Sequence, residues 1–145
     1  MSEQSNTMGL ATVRLEIVAP ERAVMQMDVQ EAIIPGVEGL FTVMPGHTPF
    51  FTMTRPGAVA AVDPKGEEHF FAVTDGFVEV LEDHITLLPF TAEHEEEIDR
   101  DRAEAAKSRA QRRLREREEN IDYARAESAL DRAHARLQAH SRLHY

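Results

Sequence analysis

Asp99 and Arg102 stand three residues apart in the stretch IDRDRA (98–103), at the start of a run dominated by Ala, Arg and Glu. At helical spacing this sets a carboxylate beside a guanidinium. The pair is either a surface ion pair, with Asp99 favoured by the helix N-terminus, or a carboxylate and a cation held for a ligand. More arginines follow in register. Arg102 and Arg109 differ by about 20° around a helix axis, as do Arg125 and Arg132. Arg113 extends the first row and Arg136 the second. Each row flanks the apolar seam of its helix, so pairing of the helices brings the rows together. Clustered guanidiniums need an anion or carboxylates to balance them. Ordinary seam-flanking arginines paired with Glu and Asp are the alternative.

A second candidate is His47 in MPGHTP, with Glu38 as its partner. A hydrolase needs a nucleophile or a held water beside a base, and stabilisation of developing charge. The chain has no Gly-x-Ser-x-Gly, no Walker-type loop and no carboxylate–histidine pattern at helical spacing. His47 therefore reads as a loop histidine that bonds locally or meets a partner. An enzyme built on His47 and Glu38 would lose turnover on His47→Ala. His134, His140 and His144 share no i, i+4 face, make a poor metal site and are expected to be exposed.

The elements that must position these groups divide the chain in two. All seven glycines and all seven prolines lie at or before Pro89, and the last 56 residues have neither. The front part reads as strands. Val13, Leu15 and Ile17 alternate with Arg14 and Glu16, and similar runs (LFTVM, FFTM, AVAAV, HFFAV, FVEVLE, HITLL) alternate with PGVEG, MPGHTP, RPG, DPKG and TDG turns. That pattern predicts an antiparallel sandwich or barrel, with a tight hairpin at DPKG. The phenylalanines of HTPFF and HFFAV, with Phe77, most simply fill its core; an apolar docking patch is the other reading.

The rear part reads as two helices. Ala103, Ala106, Ala110 and Leu114 recur at spacings of three and four, and so do Ala126, Leu130, Ala133 and Leu137. Asn120 and Asp122 between them are N-cap types, and so short a connection predicts an antiparallel hairpin. A seam of alanines buries little area, so its docking is expected to be reversible. The fold class is thus α+β in two parts: a β-sandwich over residues 1–90 and a helical hairpin over 91–145.

Composition narrows the partners. The net charge is −10, with 13 acidic and 4 basic side chains up to residue 90 and 13 and 12 thereafter. An acidic chain of this kind does not suit nucleic acid. No run approaches the ~20 apolar residues of a membrane span, and the first ten residues lack the pattern of a secretory signal. There is no cysteine, which excludes disulfides, thiolate zinc sites and a cysteine nucleophile. A soluble, cytoplasmic protein is the expectation, with no metal and no required cofactor.

Taken together these features resemble the epsilon subunit of bacterial F-type ATP synthase. IIPGVEGLFTVMPGHTPF (33–50) looks like that family's strand, glycine turn and P-G-H-x-P loop, with RPG (55–57) and TDGFVEV (74–80) in corresponding places. IDRDRA is similar to its I/L-D-x-x-R-A motif, followed by KSRAQRRL, IDYARAESAL and DRAHARL. The resemblance implies a sandwich of about ten strands and a two-helix C-terminal part. It implies a non-catalytic subunit of the central rotor stalk, bound to gamma and to the c-subunit ring, coupling rotation to ATP synthesis. The location implied is peripheral, at the cytoplasmic face of the bacterial membrane, without insertion. The hairpin would either fold on the sandwich or extend towards the alpha and beta subunits and inhibit hydrolysis. Some members bind ATP in the folded hairpin. By position the regulatory ATP site would here comprise Glu93, Asp99, Arg102, Ala103, Arg109, Arg132 and Arg136, while Glu38 and His47 would lie at the rotor interface. A free-standing ATP-sensing module without a motor partner is the alternative reading.

Overall fold

The computed structural model describes residues 11–116 and 122–142. Ten strands come first: β1 (Val13–Ala19), β2 (Arg22–Val29), β3 (Glu31–Gly36), β4 (Gly39–Val43), β5 (Phe50–Thr54), β6 (Gly57–Val62), β7 (Glu68–Val73), β8 (Gly76–Val80), β9 (His84–Pro89) and β10 (Ala92–His94). A single 3-10 turn, Glu95–Glu97, leads into helices α1 (Arg100–Glu116) and α2 (Tyr123–His140). The α+β, two-part architecture is as the sequence predicts.

The strands hydrogen-bond in the order β10-β7-β6-β3-β5-β8-β9-β1-β2, with β4 paired to β3. The sheet wraps around a core in which Leu15, Ile17, Ile34, Val59, Phe71 and Ile85 are fully buried. Alternation places them there: Val13, Leu15 and Ile17 face inward while Arg14 is exposed. One pairing departs from the expected antiparallel pattern. β1 and β9 run parallel, with Leu15 opposite Ile85. They lie far apart in the chain, so no tight turn forces an antiparallel meeting.

The sheet also continues beyond the boundary placed at residue 90, because β10 pairs with β7 through Ala92–Val73 and Glu93–Ala72. The loss of Gly and Pro marks where turns end, and a three-residue strand needs neither.

DPKG closes the β6–β7 hairpin. The N–H of Gly66 donates to Asp63 O at 2.9 Å, with Gly66 at φ +87°. Asp63 Oδ1 accepts from the backbone of Lys65 and Glu67, and Oδ2 lies 2.9 Å from His69 Nε2. Burial would raise the Asp63 carboxyl, but these bonds, with His69 foremost, hold it below its ordinary value.

Strands β6 and β7 are buried on both faces, which explains the unbroken apolar run GAVAA. Val59, Ala61, Phe71 and Val73 enter the sandwich core. Ala58, Ala60, Phe70 and Ala72 face outward and meet Ala135 and Ala139 of α2 and Ile98 of the linker. α1 packs chiefly on α2, with Ala103, Ala110, Ala126 and Ala133 buried. Asp122 is the N-cap of α2, its Oδ1 accepting from Arg125 N at 3.1 Å; Asn120 and His144 lie outside the described residues, and His134 and His140 are exposed.

The expectation that the phenylalanines fill the core holds for Phe70 and Phe71 and fails for Phe50, Phe51 and Phe77, which are exposed. Register decides this. Phe51 lies opposite Glu79, Met53 opposite Phe77, and Phe77 opposite Leu88. Phe51, Met53, Phe77 and Leu88 therefore share the outer face of β5, β8 and β9, with exposures of 63%, 51%, 45% and 48%. The Phe51 and Phe77 rings stack at 5.8 Å.

Among the described glycines, Gly76 lies closest to neighbouring backbone. A Cβ there would lie 2.2 Å from Leu88 O and 2.6 Å from Pro89 Cα. Gly76→Ala should push β9 off β8 and cost about 3 kcal/mol, seen as a fall of roughly 10 °C in thermal unfolding.

Candidate functional site: an arginine-lined cavity between linker and hairpin

The linker is built to present side chains. Glu93 sits on β10, its backbone fixed by pairing with β7. His94 caps the 3-10 turn: its Nδ1 accepts from Glu96 N at 3.1 Å, and Glu97 Oε1 accepts from His94 N at 3.3 Å. Ile98 is buried against the sheet and α2, so the chain must enter α1 at a set angle. Asp99 is the N-terminal cap of α1. Its Oδ1 accepts from the backbone N–H of Arg102 at 3.1 Å, and its carbonyl accepts from Ala103 N at 3.0 Å. Asp99 therefore bonds the backbone of Arg102, not its guanidinium.

Above the linker a cavity of about 400 Å³ is lined by Glu93, Glu97, Asp99, Arg102, Ala103, Ala105, Ala106, Arg109 and Arg136. Its volume is within the range of small-molecule sites. Alanines make the room, since a larger side chain at Ala103 or Ala106 would fill it. Six of the seven residues assigned by resemblance to an ATP site meet here: Glu93, Asp99, Arg102, Ala103, Arg109 and Arg136. Arg132 does not line this space. It borders a neighbouring cleft of about 260 Å³ with Thr74, Asp75, Phe90 and Ser128, and a narrow gap beside Arg136 and Glu93.

The three carboxylates at the cavity are already engaged. Glu93 Oε1 accepts from Arg136 Nε at 2.8 Å and lies 2.8 Å from a terminal nitrogen of the same guanidinium. Glu97 Oε2 accepts from Arg22 at 2.8 Å, and that guanidinium also donates to Ala92 O at 3.1 Å. Asp99 is held by the helix cap. Among the described residues, the guanidiniums of Arg102 and Arg109 make no hydrogen bond or ion pair. The cavity thus offers two uncommitted, forked cations, which suit a polyphosphate or other multivalent anion. It places no nucleophile beside a base.

Elsewhere the residues stay apart. Glu38 is exposed in the β3–β4 turn. His47 Nδ1 lies 2.6 Å from Thr48 O, with its ring 6.4 Å from that of Phe50. No bond joins Glu38 to His47 among the described residues. Asp63, Glu67 and His69 bring ligand atoms within 4.8 Å of one another, but Asp63 is occupied by turn N–H groups and His69. Sequence reasoning missed Glu97 and Arg22. Glu97 adjoins the motif and was open to notice; Arg22 is 75 positions away on β2, and no local pattern links them.

Comparison with known proteins decides the family. The ATP synthase, Delta/Epsilon chain, beta-sandwich domain matches residues 12–95, and the ATP synthase, Delta/Epsilon chain, long alpha-helix domain matches residues 96–141. This chain belongs to the ATP synthase Delta/Epsilon family. It is 50% identical over 102 residues to the ATP synthase epsilon chain of Desulfosudis oleivorans, covering 70% of this chain and 77% of that one. A chain in the cryo-EM structure of the Euglena gracilis mitochondrial ATP synthase, OSCP/F1/c-ring, matches with a TM-score of 0.74 at 22% identity, covering 83% and 76%. One in the Tetrahymena thermophila mitochondrial ATP synthase central stalk/c-ring structure matches at 0.54 and 12%, covering 91% and 96%. At those identities the two structures speak for the fold. The family's two domains meet at residues 95 and 96, inside the 3-10 turn that forms the cavity wall.

The Arg22 hydrogen bond, opposed by burial and helped by the His94 backbone N–H, holds the Glu97 carboxyl below its ordinary value of 4.5. With the folded value depressed, the contribution is complete above 4.5 and disappears as pH falls through the folded value. Arg22→Gln should lower stability at neutral pH by at most about 1 kcal/mol, both groups being half-exposed. The gap should close on acidification well below 4.5, measured by urea unfolding.

Proposed function

We propose that the chain is the epsilon-type, non-catalytic subunit of the central rotor stalk of an F-type ATP synthase. In this reading the sandwich binds the gamma subunit and rests on the c-subunit ring. The protein is then peripheral to the membrane on its cytoplasmic side. Among the described residues no helix is long and apolar enough to cross a membrane, so attachment runs through these partners. The hairpin regulates the motor: it folds on the sandwich or extends towards the alpha and beta subunits, and the extended form inhibits ATP hydrolysis.

The observation that carries this reading is the seat of α2. It is built from Ala58, Ala60, Ala72, Ala135 and Ala139, with Phe70 and Ile98 as its large members. A buried methyl-sized group contributes about 0.8 kcal/mol, against about 1.5–3 for a full Leu or Phe side chain. Such a seat holds the hairpin while leaving release within thermal reach. ATP is the regulatory ligand proposed for the cavity, with Arg102 and Arg109 receiving the phosphates beside Arg136, which Glu93 holds in the wall. Because the cavity walls come from both linker and hairpin, a nucleotide there binds the folded form better and shifts the population towards it. The outer apolar face of Phe51, Met53, Phe77 and Leu88 supports a protein partner and speaks against a free-standing sensor.

Calorimetric titration of the full chain with ATP should give saturable binding, and Arg102→Ala should weaken it roughly tenfold or more. No heat at millimolar ATP would leave Arg102 and Asp99 as structural groups. For the partner, Phe77→Ser should leave stability within about 0.5 kcal/mol yet lower affinity for a gamma subunit roughly tenfold in a surface-binding assay. Unchanged affinity would move the gamma contact to another face.

A further inference from the structure

Just past the end of α2, Arg142 adopts φ +58° and is the only non-glycine residue at positive φ among the described residues. Its N–H donates to Ala139 O at 3.1 Å, and Ser141 N donates to Leu137 O at 2.9 Å. This is the left-handed position that ends a helix, where glycine is the low-cost choice. An arginine held there against its backbone preference points to a role for the side chain.

That side chain makes three separate contacts with the sandwich and linker. One terminal nitrogen pairs with Glu95 Oε1. The other donates to the backbone carbonyl of Glu68 at 2.8 Å. The guanidinium carbon lies 5.0 Å above the ring centroid of Phe70, itself fully buried beneath α2. Among the described residues Glu95 pairs with no other cation, and its second oxygen, Oε2, is buried without a hydrogen-bond partner. The glutamate belongs to the same three-residue turn as Glu97, which lines the arginine cavity.

We infer that Arg142 is a latch that fastens the C-terminal end of α2 to the sandwich, and that Glu95 is its catch. The inference rests on the reading of the hairpin as a releasable unit. Geometry makes the position effective. The alanine seat resists lifting weakly, and a contact at the far end of α2 must break before the helix can peel from β6 and β7. Release also costs Glu95 the counter-charge of Arg142. Since Glu95 and Glu97 share one short turn, a ligand that stiffens this turn from the cavity side stiffens the catch as well. The latch thus gives the cavity a mechanical route to the hairpin's far end.

Hydrogen exchange on the full chain tests this, with Arg142→Gly as the decisive variant. Glycine relieves the left-handed backbone, so a residue kept only to end the helix would become more secure on substitution. The latch predicts the reverse: amides of α2 should exchange roughly three- to tenfold faster, while those of β8 and β9 stay unchanged. Arg142→Lys, which keeps the charge but not the fork, should fall between. Adding Glu95→Gln to Arg142→Gly should cause no further increase, since the pair acts as a unit. Slower or unchanged α2 exchange in Arg142→Gly overturns the latch, as does an equal rise in the sheet and α2. If α2 of the unaltered chain exchanges only together with the sheet, the releasable hairpin itself fails, and the latch with it.

Discussion

The contact between α2 and the outer face of β6 and β7 is the constraint on which the rest of this structure depends. Two strands must be apolar on both faces, one to close the sandwich and one to receive a helix. Alanine dominates the outer face because α2 must lie close, and Gly57 allows the same approach: a Cβ there would meet Pro35 at 3.1 Å and Gln138 at 3.7 Å. Close approach of small residues gives good complementarity and little buried area per residue. The helix is thereby positioned accurately without being held tightly.

Everything functional follows from where this places α2. Arg136 reaches Glu93 only because α2 crosses β10's neighbour β7. α1, which rests on α2 and begins at the Asp99 cap, then swings Arg102 and Arg109 over the linker. The cavity is the space left between a strand end, a 3-10 turn and two helices, none of which could form it alone. Its electrostatics are those of selective neutralisation: each carboxylate already has a partner, and the guanidiniums of Arg102 and Arg109 have none among the described residues. On the proposed reading of a releasable hairpin, a site made of parts from both sides of the joint is sensitive to it, since a ligand gains only when it is closed.

The sandwich has a second, separate constraint. Its β5, β8 and β9 face is too apolar to be an ordinary solvent face, and the phenylalanines on it are placed by register and not by any preference of their own. One residue of slip would bury Phe51 and Phe77 and expose Val78 and Val80. Core and surface are thus two readings of the same strands, and the turns that set register choose between them. Where they differ is in their cover: one face is satisfied within the chain, and the other is exposed among the described residues.

Much of this was legible in the residues. Period-two runs punctuated by Gly and Pro specify strands, and alanine–leucine spacing with an Asp cap specifies two helices, because both signals come from neighbours in sequence. The Arg102–Arg109 row was readable for the same reason. The separation of Arg132 from Arg136 was not, since adjacent turns of one helix open onto different clefts once a sheet lies beneath. Nor was the second apolar face of α2, for Ala135 and Ala139 become a face only when a sheet meets them. The parallel β1–β9 pair, the Arg22–Glu97 bond and the hold of Arg142 on Glu95 join positions whose distance along the chain erases any local pattern. Sequence by itself determined which elements form and which residues carry charge; tertiary structure decided which charges meet, because only packing brings remote parts of a chain within bonding distance.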